Sequence, residues 1–236
     1  MYKTDKFIEG LEKLGIMLTE KQIQQFLDYY ELLIEKNKVM NLTAITEYEE
    51  VIEKHFLDSL QLAKFVDFHD KTLIDIGTGA GFPGIPLKIA FPDLKVVLLD
   101  SLNKRINFLN ETVRKIGLTE IETLHGRAED YGKNPQYREQ FDYCVSRAVA
   151  NMSSLAEYCI PYVKKEGYFI PYKSGNIDEE LKNASKAVFL LGGKIEKVEK
   201  FSLEDSQRSL VFVKKVSNTA KKYPRKAGLP TKEPLV

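Results

Sequence analysis

Gly77, Gly79 and Gly81 fall at alternate positions directly after an apolar run in T-L-I-D-I-G-T-G-A-G-F-P-G-I-P, Thr72 to Pro86. Glycine reaches positive φ without steric cost and lets a ligand lie against the main chain, so the spacing suits a ligand loop. Asp100 ends the next apolar run, L-K-V-V-L-L, 23 residues beyond Gly77. That is close to the offset of about 20 residues at which a βαβ unit offers a carboxylate to a ribose diol. Two further stretches could complete a site. H-G-R-A-E-D carries Ala128 and Glu129, a main-chain amide and a carboxylate suited to the rim of an adenine, and F-D-Y-C-V-S-R ends in Ser146 and Arg147. The plain alternatives are a tight turn, a solvated Asp100, a solvated loop at 125–130, and an ion pair from Arg147 to Asp100 or Glu129.

The glycine spacing bears on which cofactor would sit there. A dinucleotide loop reads G-x-G-x-x-G, its last glycine seating a helix behind a pyrophosphate. Here the third glycine arrives one residue early and Phe82 stands where the pattern wants glycine. S-adenosylmethionine has no pyrophosphate to seat, so a bulky residue is acceptable, and Asp75, Gly77, Gly79, Gly81 and Phe82 are the expected cofactor-loop residues. A nicotinamide-dependent oxidoreductase is the rival enzyme class, and a cofactor-regulated binding module without turnover is the rival outside enzymes.

The acceptor side is defined by what is missing. No D-P-P-Y or N-P-P-Y follows the fourth strand to hold an exocyclic amine, and neither Cys144 nor Cys159 has the setting of a cytosine-C5 nucleophile. Both cysteines read as core residues. Arg147 suits phosphate or a guanine edge. Guanine N7 carries an in-plane lone pair and loses no proton on methylation, so orientation alone can serve. Lys173, at the end of G-Y-F-I-P-Y-K, points to the same rim and is an RNA-phosphate candidate, with a solvated lysine as the alternative. His55, His69 and His125 lack metal-ligand spacing, and no metal is expected. Of the three, His55 is the best candidate for a role, on an apolar face near Asp58.

These residues need a frame. From residue 72 strands alternate with helices, which predicts an α/β fold with a mostly parallel sheet covered on both faces. Strands are expected at 72–76, 94–99, 120–124, 140–146, 166–172, 194–201 and 209–215, the last two forming a hairpin edge across the polar segment 202–208. Helices are expected at 83–91, 103–116, 151–163 and 176–191. Ahead of them, Phe7, Ile8, Leu11 and Leu14 recur at helical spacing, and T-E-K-Q at Thr19 and T-E-Y-E at Thr46 read as capping boxes. The predicted organisation is a helical module at 1–70, a cofactor domain at 71–216 and a basic tail at 217–236.

A chain of 236 residues, 43% hydrophobic, can bury one full α/β core. No apolar run nears the ~18 residues of a membrane span and no signal segment is visible, so a cytoplasmic protein without membrane contact is expected. The net charge of +1 conceals a gradient: residues 1–70 hold eight lysines against fourteen acidic residues, whereas 214–236 hold seven lysines and arginines against one glutamate. The tail is thus a phosphate-binding candidate, with a solvated terminus as the alternative.

N-L-T-A-I at 41–45, K-H-F-L-D-S at 54–59, D-I-G-T-G-A-G-F-P-G-I-P at 75–86, S-R-A at 146–148 and R-K-A-G-L-P at 225–230 together resemble the glucose-inhibited division protein B family. These are the RsmG 16S rRNA guanine-N7 methyltransferases, and the likeness spans nearly the whole chain. The resemblance implies a class I, Rossmann-like methyltransferase of seven strands, S-adenosylmethionine as donor and S-adenosylhomocysteine as product. It also implies N7 of a guanine at position 527, in the 530 loop of the small ribosomal subunit, as acceptor. Carried over by position, Gly77 and Phe82 line the cofactor loop, Asp100, Ser101 and Leu102 follow the ribose, and Ala128 and Glu129 bracket adenine. Arg147 falls near the reaction centre as a positioning and cofactor-binding residue, and Arg225 and Lys226 fall in the tail motif, which favours RNA contact there. A monomer is expected.

Overall fold

The computed structural model describes residues 2–203 and 206–235. Seven strands form one sheet in the order β3-β2-β1-β4-β5-β7-β6: β1 (Thr72–Ile76), β2 (Lys95–Asp100), β3 (Ile121–His125), β4 (Phe141–Arg147), β5 (Val163–Ser174), β6 (Gly193–Leu203) and β7 (Ser206–Lys215). The first five run parallel, and β7 lies antiparallel between β5 and β6. The expected hairpin therefore exists, with β6 at the open edge. Residues 204 and 205 of its connector lie outside the described residues.

Alternation along the strands sends side chains to two cores. Leu73, Leu98, Val145 and Leu210 face one, with Phe7, Phe26 and Phe56 from the N-terminal helices; Ile74, Leu99, Cys144 and Val211 face the other, with Leu155 and Val188. Helices α1 (Asp5–Lys13) and α2 (Glu20–Met40) therefore share a core with the sheet, as do α5 (Gly84–Ala90) and α6 (Asn103–Lys115). The opposite face is covered by α8 (Met152–Cys159) and α9 (Asp178–Leu190). Among the described residues no helix is long and apolar enough to cross a membrane.

The Thr19 box forms as expected, Gln22 accepting from the Thr19 amide. The amide nitrogen of the same Gln22 side chain donates to the carbonyls of Ile89 and Ala90 at 2.8 and 3.2 Å, closing the end of α5. Gln25 does likewise for Ile116 after α6. The box at Thr46 does not form. Helix α3 (Tyr48–Val51) starts one residue later, with Glu47 at its N-cap, and the Glu49 carboxylate pairs with Lys6 instead of closing a box.

After α3 the chain makes a π-helical turn, Ile52–Leu57, before α4 (Asp58–Leu60) and a 3₁₀ turn at Gln61–Lys64. Two expected boundaries also move. Pro161 interrupts the helix predicted over 151–163, which ends at Cys159 and passes through a 3₁₀ turn, Ile160–Tyr162, into β5. Strand β5 extends beyond its expected span to Val163, with an irregularity at Glu166, φ +69°, where its pairing with β4 shifts register between Phe141 and Tyr143.

Candidate active site

The carboxyl ends of β1, β2, β3 and β4 gather along one rim, where a parallel sheet places its ligands. At the end of β1 the chain turns through Gly77, Gly79 and Gly81 at φ +69°, +64° and +106°. A Cβ on Gly77 would meet Val149 Cγ2 at 2.6 Å, and one on Gly81 would meet Ile85 Cδ1 at 2.5 Å. The loop is braced from behind by the Tyr29 hydroxyl of α2, which donates to the Ala80 carbonyl at 2.6 Å.

Asp75 shapes the same loop. Its Oδ2 accepts from the Thr78 hydroxyl at 2.7 Å and the Gly84 amide at 2.9 Å. Complete burial pushes its carboxyl up to about 7, against the pull of those two donors. It lines neither of the cavities described below, so it reaches a ligand only through the shape of the loop.

Asp100 ends β2 as expected. Its Oδ1 accepts from the Leu102 amide at 2.9 Å; its Oδ2 accepts from the Gly79 amide at 3.0 Å and from Arg105 Nη1 at 3.2 Å. These bonds fix the carboxylate beside the loop. Two cavities flank that point, of about 350 and 690 Å³, and Gly77, Val149 and Ala150 line both. The smaller contains Asp100, Ser101, Ala128 and Glu129. Leu102 lines neither and contributes its amide.

The larger cavity holds Gly79, Phe82, Arg147 and Lys173 with residues of the N-terminal helices. Arg147, at the tip of β4, is not paired with Asp100 or Glu129. Its Nη1 donates to Asp58 Oδ2 at 2.8 Å and to the Lys54 carbonyl at 3.3 Å, because β4 ends facing the π-helical turn. Its guanidinium carbon lies 5.0 Å above the Phe82 ring. Asp58 is 3% exposed. Its Oδ1 has no hydrogen-bond partner among the described residues, with Arg208 Nε 3.8 Å away.

His55 stacks on Phe82 with centroids 4.6 Å apart. Its Nδ1 lies 3.2 Å from Arg147 Nη2 and its Nε2 lies 2.8 Å from Thr43 Oγ1. Nδ1 also lies 3.1 Å from the Lys54 carbonyl, so a guanidinium that can only donate and a carbonyl that can only accept face the same ring nitrogen. Burial first, and the Arg147 charge second, hold this imidazole down at about 3, so it is neutral at physiological pH. His55 and Asp58 lie three residues apart in H-F-L-D, and that spacing was the one signal of their joint role.

Two residues expected to touch RNA have partners within the fold. Lys173 Nζ binds Glu180 at 2.7 Å and the Ala150 carbonyl at 3.0 Å. Arg225 binds Glu157, which is fully buried, through Nε and Nη2 at 2.7–3.0 Å. Arg225 is held by the protein, Lys173 is paired yet lines the larger cavity, and Lys226 is exposed.

The sheet order, the glycine turn after β1 and the acid ending β2 define the class I, S-adenosylmethionine-dependent methyltransferase fold. Solved structures agree on that fold. A SAM-dependent methyltransferase from Aquifex aeolicus superposes with TM-score 0.55 at 18% identity, over 73% of this chain and 96% of that one. M. jannaschii TYW2 in complex with AdoMet gives 0.57 at 12%, over 73% and 80%. The rRNA small subunit methyltransferase G family model matches residues 22–211. The Ribosomal RNA small subunit methyltransferase G of Lachnoclostridium phytofermentans is 58% identical over 100% of this chain and 99% of its own. The chain belongs to the rRNA small subunit methyltransferase G family.

Proposed function

We propose that this protein methylates N7 of the guanine at position 527 in the 530 loop of 16S rRNA, with S-adenosylmethionine as donor and S-adenosylhomocysteine as product. The family and fold establish a methyltransferase; the target atom rests on the larger cavity. That cavity offers an aromatic wall, Phe82 stacked on neutral His55, beside a fixed guanidinium, and N7 needs no proton acceptor.

The residues fit the donor. The glycine turn lines the cavities with bare main chain at Gly77 and Gly79, and Asp100 is pinned beside it with one acceptor site left for a ribose hydroxyl. Gly77, Gly79, Phe82, Asp100, Ser101, Ala128 and Glu129 would hold the donor, with Asp75, Gly81 and the Leu102 amide shaping its seat. When bound, the cofactor supplies an electrophilic methyl group. The chain's own residues orient: Asp58 fixes Arg147, and Arg147 with His55 and Phe82 fixes the base. The N7 lone pair would form the new bond to the methyl carbon as the methyl–sulfur bond breaks and its electron pair stays on the sulfur of the neutral thioether product, and no proton leaves.

Exposed Lys226, Lys221 and Lys222 are our candidates for phosphate contact. The same reading takes the protein as a cytoplasmic monomer organised as 1–70, 71–216 and 217–236. Transfer of labelled methyl to small subunits from a strain lacking this protein, followed by mapping of the modified base, tests it. Label on N7 of guanine 527 is expected, and label elsewhere refutes the target.

A further inference from the structure

The end of the chain reaches the smaller cavity at Thr231. Beyond β7, Arg138 donates to the carbonyls of Thr219 at 2.6 Å and Tyr223 at 2.8 Å. The Arg225 amide and side chain then bind buried Glu157. Ser154 donates to the Pro230 carbonyl at 2.8 Å, and the hydroxyls of Tyr158 and Thr231 share a hydrogen bond of 2.6 Å. Thr231 and Tyr158 line the cavity, together with Glu129. The segment is therefore a docked strap with its far end at a ligand cavity, rather than a loose basic arm.

One contact links the strap to recognition. The Gly228 amide donates to Glu129 Oε1 at 2.8 Å, and no other donor to that carboxylate is present among the described residues. Gly228 sits at φ +81°, a conformation that favours glycine. With Oε1 held by the main chain, Oε2 is left to accept from a donor in the cavity. A carboxylate in that position accepts from an amino group and repels a carbonyl oxygen.

We infer that residues Arg225–Lys232 are part of the cofactor site: Gly228 orients Glu129, and the Thr231–Tyr158 pair holds the strap in place, so this segment selects a 6-amino over a 6-oxo purine. The inference rests on the reading that the smaller cavity holds the adenosine of the donor. Tyr158 and Thr231 act as positioning residues, through Gly228 and Glu129.

Hydrogen exchange of the full-length protein with and without S-adenosylhomocysteine separates the two levels. The expected result is slowed exchange both at 77–82 and at 225–232, the Gly228 amide included. Slowing at 77–82 alone overturns the inference and leaves the cofactor reading standing. No slowing in either segment removes the cofactor reading, and the inference with it. The second measurement uses full-length protein carrying Tyr158→Phe and Thr231→Val. Its preference for S-adenosylhomocysteine over S-inosylhomocysteine should fall about fivefold or more, the worth of one net hydrogen bond. A merely structural strap would lower the melting temperature and leave that preference unchanged, which would refute the inference.

Discussion

Replacing Arg147 by glutamine removes the charge that faces Asp58 at 2.8 Å, with side chains 15% and 5% exposed. Removing one member of a buried pair costs about 3–5 kcal/mol, because the other is left charged and unpaired. Arg208 Nε, 3.8 Å from the second Asp58 oxygen, offsets part of this, which puts the expected loss near the lower end, about 3 kcal/mol. In a chain of this size that is a fall of roughly 6–12 °C in melting temperature. Asp58→Asn should cost about 1–2 kcal/mol, since an amide oxygen still accepts from Arg147 and the Lys54 carbonyl remains. The double variant places two neutral amides together and should cost no more than about 2 kcal/mol, a coupling of about 2–3 kcal/mol. Urea unfolding at constant m-value is the assay. Methyl transfer at saturating substrates should fall about a hundredfold with Arg147→Gln and should not return in the double variant, because orientation needs the guanidinium while stability does not. Losses that add to within about 0.5 kcal/mol would refute the buried-pair account.

Gly81→Ala should cost about 2–4 kcal/mol and abolish S-adenosylhomocysteine binding measured by calorimetry, because its Cβ would lie 2.5 Å from Ile85 and 2.9 Å from the Tyr29 hydroxyl. Gly79→Ala, with no atom closer than 4.0 Å, should show only conformational strain of about 1–2 kcal/mol. The Asp75 carboxyl is raised in the fold from 3.8 to about 7; its contribution is present below the unfolded value and lost as pH rises through the folded one. Wild-type stability should therefore decline relative to Asp75→Asn between pH 4 and 7, by up to about 1.4 kcal/mol per pH unit in denaturant titrations. Thr19→Ala should cost about 1 kcal/mol, and Gln22→Ala more, since Gln22 also closes α5.

The strand and loop framework was legible because local patterning sets it. Leu73, Ile74 and Ile76 mark β1, and the glycines that follow can only serve a turn. Asp100 was legible for the same reason, one apolar run further on. The acceptor side was not, because its chemistry comes from contacts between distant segments. Nothing local in I-E-K-H-F-L announces the π-helical turn that brings His55 and Asp58 to Arg147. Charge also misled. Arg225 and Lys173 read as free cations because their partners, Glu157 and Glu180, lie on elements that adjoin them only in the fold. The Thr46 box failed similarly, its Glu49 drawn to a lysine 43 residues away.

The sheet order leaves β6 at one open edge, an eleven-residue row of unpaired main-chain groups. Such a row is a template for another strand, and long apolar edges seed fibrils. Here Lys194, Glu196, Lys197, Glu199 and Lys200 crowd its first eight residues, so a strand docking from another molecule would have to strip water from several charges at once. The opposite edge, β3, is only five residues long. One edge is guarded by charge and the other by brevity, which equips a wide, twisted sheet to remain dispersed in a crowded solution.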